Sequence, residues 1–249
     1  MPGERVYPVH NLDTVARMQQ AFTEKVNANR EAGRRAFQSG EYKPFTGFAK
    51  EGFHDLFAMG LELDQASQGS IITQVSEPMS QIAEELGVPA IFAGKGDLLP
   101  HVTVFNSPFK GVPTEDQEKI LAYLQSDVSH LGLLSKILSG LTFHMNELVV
   151  APASYLCQSE FTDEQGAPFK ARQLSEEIIK RAIRSFEREE QIALPGTFGF
   201  PYRWDNIFHA SVARITDAVD PDRLLSFADK VDHEIGQPLR DNPIAITVA

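Results

Sequence analysis

Several things are scarce in this chain, and each scarcity excludes something. There is one cysteine, Cys157, in 249 residues. A single thiol rules out an intramolecular disulfide and a cysteine-rich metal site, so a cytoplasmic location is expected. No apolar run approaches the roughly 18–20 residues that a membrane span needs, and the opening MPGERVYPVHNLDTVARMQQ lacks the apolar centre of a secretory signal. No membrane partner is therefore expected. Positive charge is scarce too: 23 Lys and Arg against 34 Asp and Glu leave a formal net charge of −11. That field repels polyphosphate and argues against a long nucleic-acid duplex as partner. A small nucleotide or an RNA terminus, held by a few local donors, is compatible with it. No low-complexity segment and no short repeat period occurs, which excludes a solenoid.

What is present is ordinary in bulk. The 42% hydrophobic residues suit one large domain or two small lobes. One detail is unusual: HVTV at 101–104 and HASV at 209–212 repeat the same pattern in a chain with seven histidines. Both sit in an order of elements that occurs twice. Leu12, Val15, Met18, Phe22 and Val26 recur at helical spacing from Asn11 to about Phe37, with Asn11 or Asp13 as cap and a stop near Gly40. Residues 1–45 then read as a helical extension and loop, and 46–249 as the main domain. Within it, 69–78 reads as a strand, 79–87 as a short helix, LPHVTVF as a strand and PTEDQEKILAYLQ as a helix with a Thr114/Gln117 capping box. LLSKILSG continues helically and LTFHMNELVVAP closes this half as a strand. The second half reads ASYLCQSEF, strand; LSEEIIKRAIRSFEREE, helix; NIFHASVARI, strand; DPDRLLSFADKVDHEIG, helix capped by Asp220 and stopped by Gly236; NPIAITVA, strand. The half-domain repeats span roughly 69–151 and 152–249. The expected class is α+β and bilobal: two antiparallel sheets related by a pseudo-twofold axis, helices packed outside, and a central cleft.

Alternate residues of a strand share a face, about 6.5–7 Å apart. His101 and Thr103 therefore share one face while Val102 and Val104 turn to the packed layer, and His209 and Ser211 share a face opposite Phe208, Ala210, Val212 and Arg214. Two imidazoles and two hydroxyls converging on a cleft suit phosphodiester chemistry without a metal. In-line displacement at phosphorus needs a base on the entering oxygen and an acid on the departing one, on opposite sides. Histidine's ordinary pKa of about 6.5 lets one ring be neutral and the other protonated near neutral pH. Thr103 and Ser211 can donate to the non-bridging oxygens. The two motifs are near-equivalent, so sequence does not assign the roles; His101 is taken provisionally as acid and His209 as base. Tyr202, Arg203 and Trp204, just before the second motif, are candidate substrate contacts through base stacking and phosphate pairing; covering the core is their alternative role.

The doubled motif, as HVTV and HASV, resembles the signature of the 2H phosphoesterase superfamily. That group includes 2',3'-cyclic nucleotide phosphodiesterases, 2'-5' RNA ligase-like proteins and 2',5'-oligoadenylate-cleaving enzymes. The similarity takes in LTFHMNELVVAPASYLCQ and Arg214 and covers about residues 69–249. It implies a bilobal α+β domain, His101 and His209 as the acid–base pair, Thr103 and Ser211 as phosphate contacts, and no metal or other cofactor.

Other polar residues have plainer readings. His144 and Glu147 could pair on a helix, but in a strand a three-residue offset separates their faces. Lys95 and Lys110 bracket the first motif and read as surface lysines. Lys25, Arg30, Arg34 and Arg35 read as a solvated helix face, or as a dimer or RNA-guiding contact of an otherwise monomeric protein. The rival to catalysis is a protein that binds a nucleotide or RNA end in the same cleft without turning it over.

Overall fold

The computed structural model describes residues 12–42, 44–45, 56–95, 98–108, 112–126, 136–151, 154–159, 167–194 and 209–249. Helix α1 (Leu12–Ser39) ends where Gly40 takes a φ of +67°, a left-handed conformation that stops a helix. It lies directly on a strand of the sheet. A Cβ on Gly33 would sit 2.4 Å from the Val150 carbonyl oxygen, so only glycine permits that approach. Val26 and Phe37 are buried beside it. The arginines of this helix are not simply solvated. Arg30 donates to Glu147 at 2.7 Å and Arg34 to Asp229 at 2.6 Å, while Arg35 lies 3.9 Å from Glu31 of its own helix.

Strand β1 (Leu56–Glu62) follows, then α2 (Gln65–Ile71) and α3 (Glu77–Leu86) joined by a wide π-turn at Ile72–Ser76. Next come β2 (Ala90–Phe92), β3 (His101–Pro108), α4 (Thr114–Gln125), β4 (Thr142–Ala151), β5 (Ser154–Ser159) and α5 (Ala167–Glu190). The chain closes with β6 (His209–Ile215), α6 (Pro221–Val231), a second π-turn at Asp232–Gly236, α7 (Gln237–Asp241) and β7 (Ile244–Thr247).

Four expectations change here. Residues 69–78, read as a strand from their apolar content, are helical, because Ile71, Val75 and Met79 recur at helical spacing and all three are fully buried. Gly236 does not stop its helix: the chain passes through a π-turn and continues to Asp241. The Thr114/Gln117 capping box does not form. Pro113 is the capping residue, and the Gln117 side chain donates instead to the Val112 carbonyl at 2.8 Å. Strand β2 was not foreseen; three residues are too few to show a period. Asp220 does cap α6, accepting from the amides of Asp222 and Arg223 at 3.1 and 3.2 Å.

The fold is α+β, and every strand pairing is antiparallel. Sequence suggests two sheets; among the described residues the pairings form one seven-stranded sheet, six strands in the order β1-β3-β6-β5-β4-β7 and β2 also on β6. The link between β3 and β6 is a single register pair, Thr103↔His209. At the far end Leu63 bridges Val248, returning β7 to β1 and closing the order on itself. Ser67 secures that junction: its backbone amide donates to Asp64 at 2.7 Å and its hydroxyl accepts from the Thr247 amide at 2.7 Å. One face of β1, β3 and β6 carries Leu61, Val102, Ala210 and Val212 into the core with Val75, Met79 and Phe227. No described helix is long and apolar enough to cross a membrane.

Candidate active site

The opposite face of those three strands carries the motif positions. Thr103 and His209 are directly opposed across β3 and β6, and opposed residues of an antiparallel pair share a face. Positions 101 and 211 follow on the same face by the two-residue period. The structure therefore brings all four motif positions to one surface of adjacent strands. The side chains of Thr103 and His209 lie outside the described set, and their backbones locate them. Ser211 is buried, 8% exposed.

His101 is half-buried, and three contacts of its strand define it. Its Nδ1 lies 2.9 Å from the Leu99 carbonyl. A carbonyl only accepts, so Nδ1 carries a proton and Nε2 is the nitrogen left to exchange one. The ring lies across Gly60 of β1, where a Cβ would stand 2.9 Å from Cδ2 and 3.5 Å from Cγ. Gly60 faces Thr103 immediately after a β-bulge between Met59 and Gly60. Bulges of this kind re-aim the residues around them. Glu62, exposed, is the direct register partner of His101. On the other side, β5 sets Leu156 opposite Ser211 and Gln158 opposite His209.

Gly60, Glu62, Leu99, Leu156 and Gln158 were not anticipated as part of this surface. Gly60, Glu62, Leu156 and Gln158 join the motifs through pairings between strands distant in sequence, and no local pattern signals such a pairing. Leu99 has a partial signal: it is a leucine 63% exposed, two residues before a motif histidine.

Tyr202, Arg203, Trp204 and Lys110 lie outside the described residues. Lys95 donates to Ser80 at 2.9 Å, and Arg214 stacks its guanidinium 4.8 Å above the Phe45 ring. His144 is exposed, while Glu147, displaced by a bulge between Met145 and Glu147, accepts from Arg30. No cluster of three or more metal-ligating side chains occurs among the described residues.

Compared with known proteins, the chain matches no family model and no curated relative.

Proposed function

We infer that this protein is a phosphodiesterase of the 2H type, acting on a small nucleotide or RNA end. It opens a 2',3'-cyclic phosphate or cleaves a 2'-5' linkage with two histidines and no metal. One observation carries the reading: the register pair Thr103↔His209, which joins two separate His-x-Thr/Ser-apolar motifs on neighbouring strands.

Continuing that register by one and two residues sets Val102 opposite Ala210 and His101 opposite Ser211. The four polar positions then form a square with the histidines on one diagonal and the hydroxyls on the other. Diagonal Cβ atoms in such a pair are about 7–8 Å apart, enough for a phosphoryl group between the rings. A water oxygen bonds to phosphorus as one imidazole takes its proton. The bond to the departing sugar oxygen breaks as the other imidazole protonates that oxygen, so one water is consumed and a phosphomonoester remains. Thr103 and Ser211 donate to the non-bridging oxygens.

The strand order supports a pseudo-twofold axis and two lobes. Exchanging β1 with β5, β3 with β6 and β4 with β7 converts the β1–β3 pairing into β5–β6. It converts β4–β5 into the bridge between β7 and β1, and leaves the β3–β6 and β4–β7 pairings on themselves. The axis passes between Val102 and Ala210, at the centre of the square.

Hydrolysis of 2',3'-cyclic nucleotides and 2'-5' dinucleotides in EDTA tests the reading. Turnover is expected there, with His101→Ala and His209→Ala each lowering kcat by about 10²- to 10⁴-fold. Activity that survives both substitutions, or appears only with added metal, overturns it; tight nucleotide binding without turnover turns it into a binding site.

A further inference from the structure

Building on that reading, we propose that Leu99 is the contact for the nucleobase, its side chain covering the base of the nucleotide whose phosphate sits at the motif face. Burial alternates as the chain enters β3: Leu98 is buried, Leu99 exposed, Pro100 buried, His101 half-buried and Val102 buried. That two-residue period marks extended backbone, so Leu99 lies on the face of His101, one step of about 6.5–7 Å before it. The Leu99 carbonyl lies 2.9 Å from His101 Nδ1, which ties the two residues together directly. Among the described residues Leu99 is the most exposed large apolar side chain, at 63% against 39% for Ile137 and 37% for Leu121.

The fold holds this leucine out. After β2 the chain turns tightly: the Ala93 amide donates to the Val212 carbonyl at 2.9 Å, the Lys95 amide to Phe92 at 3.0 Å and the Gly94 amide to Leu98 at 2.8 Å. Gly94 has a φ of +84°, and a Cβ there would stand 2.6 Å from Cδ1 of Ile72, so the turn requires glycine. Leu98 and Pro100 are then anchored in the core on either side of Leu99, and the ring of Pro100 fixes its own φ. The backbone of Leu99 is thus set before any ligand arrives, which lowers the ordering cost of a contact made by its side chain. An isobutyl group has no donor or acceptor, so it gives nothing to a further phosphate or to a polar edge. A base offers it a flat apolar face and is joined to the phosphate through a single ribose. Covering that face removes apolar surface of both partners from water. Every base has such a face, so the contact does not choose among the four. The substrate class is a nucleoside 2',3'-cyclic phosphate of any base.

The test compares the full chain with Leu99→Ala, which keeps the carbonyl beside His101; circular dichroism confirms the fold of the variant. Both are assayed on 2',3'-cyclic AMP, GMP, CMP and UMP and on methyl riboside 2',3'-cyclic phosphate, which has the ring and the phosphate but no base. Leu99→Ala raises KM for each cyclic nucleotide by about five- to thirtyfold with kcat little changed, because a contact made equally in ground and transition state is lost. The base-free substrate keeps its KM, since it has nothing for Leu99 to cover. Methyl NMR of the unmodified chain with 2'-AMP or 3'-AMP bound shows nuclear Overhauser contacts from Leu99 to the protons of the base, which a leucine with a purely structural role does not give. Turnover with KM unmoved by Leu99→Ala, or raised equally for the base-free substrate, overturns the assignment of Leu99 and leaves the phosphodiesterase reading standing. No turnover of any of these substrates by the unmodified chain removes that reading, and the base contact with it.

Discussion

The strands carrying the two motifs are built alike and furnished differently. Each pairs with the other through Thr103↔His209, and each has an outer neighbour, β1 for β3 and β5 for β6. On the motif face β1 presents Gly60 and Glu62; at the corresponding positions β5 presents Leu156 and Gln158. The first side is stripped of a side chain so that an imidazole can lie flat, and it carries a negative charge. The second has a bulky apolar residue and no charge. The two motifs thus share one backbone arrangement, and the residues registered beside them differ in size and charge.

Erasing the difference is the strongest way to break the comparison. Gly60→Leu gives β1 the residue that β5 has and drives a side chain into the His101 ring, which already sits 2.9 Å from where a Cβ would start. Gly60 is exposed, so the fold survives. A displaced imidazole costs the proposed hydrolysis about 10- to 100-fold in kcat/KM, and an unchanged rate removes the idea that Gly60 seats the ring.

The shared core beneath the motifs comes next. Ala210 is fully buried, and Ala210→Val adds volume where the strands meet, costing about 1–3 kcal/mol in a denaturant titration. Full stability would place the meeting of β3 and β6 elsewhere.

A smaller effect belongs to the closing junction. Hydrogen bonds from Ser67, hydroxyl first and then backbone amide, hold the Asp64 carboxyl below the ordinary carboxylate range. A carboxyl lowered in the folded state stabilises the protein above its unfolded pKa, and the contribution fades as pH falls through its folded value. Asp64→Asn therefore lowers Tm at pH 7 and has less effect near pH 3. An equal drop at both values would assign the loss to packing.

The smallest effect compares the two π-turns. Ser76 is buried with no hydrogen-bond partner for its hydroxyl among the described residues, and Gly236 holds the equivalent place. Ser76→Ala leaves stability within about 0.5 kcal/mol or raises it slightly; a large loss would reveal a partner for the hydroxyl.

At these turns the sequence-based expectation and the fold part. Val75-Ser76-Glu77-Pro78-Met79 and Ile235-Gly236-Gln237-Pro238-Leu239 are alike: apolar, small, acid or amide, proline, apolar. Proline cannot donate to the carbonyl four residues back, and its ring collides with that carbonyl in a regular helix. A wide turn just before the proline moves the carbonyl aside, and the Glu77 and Gln237 amides instead reach back five residues to Ile72 and Asp232. Proline and glycine read as breakers on their own, so one segment was assigned to a strand and the other was ended too early. The helices α1, α4 and α5 and the strands β3, β4, β5 and β6 were legible, because each carries enough residues to display its period. The candidate site was legible only in its repeated half, His101, Thr103, His209 and Ser211. Its surroundings come from pairings that no local pattern encodes.

The sequence alone therefore determined most of the helices and strands, and that two of the strands carry the same pattern. Local periodicity and residue chemistry suffice for that, since each is set within a few neighbours. Only the tertiary structure decided that those strands lie side by side in antiparallel register, that a glycine and a glutamate border one motif, and that a leucine and a glutamine border the other. Hydrogen bonds between strands far apart in the chain select among many registers, and that selection is what gives two similar histidines dissimilar surroundings.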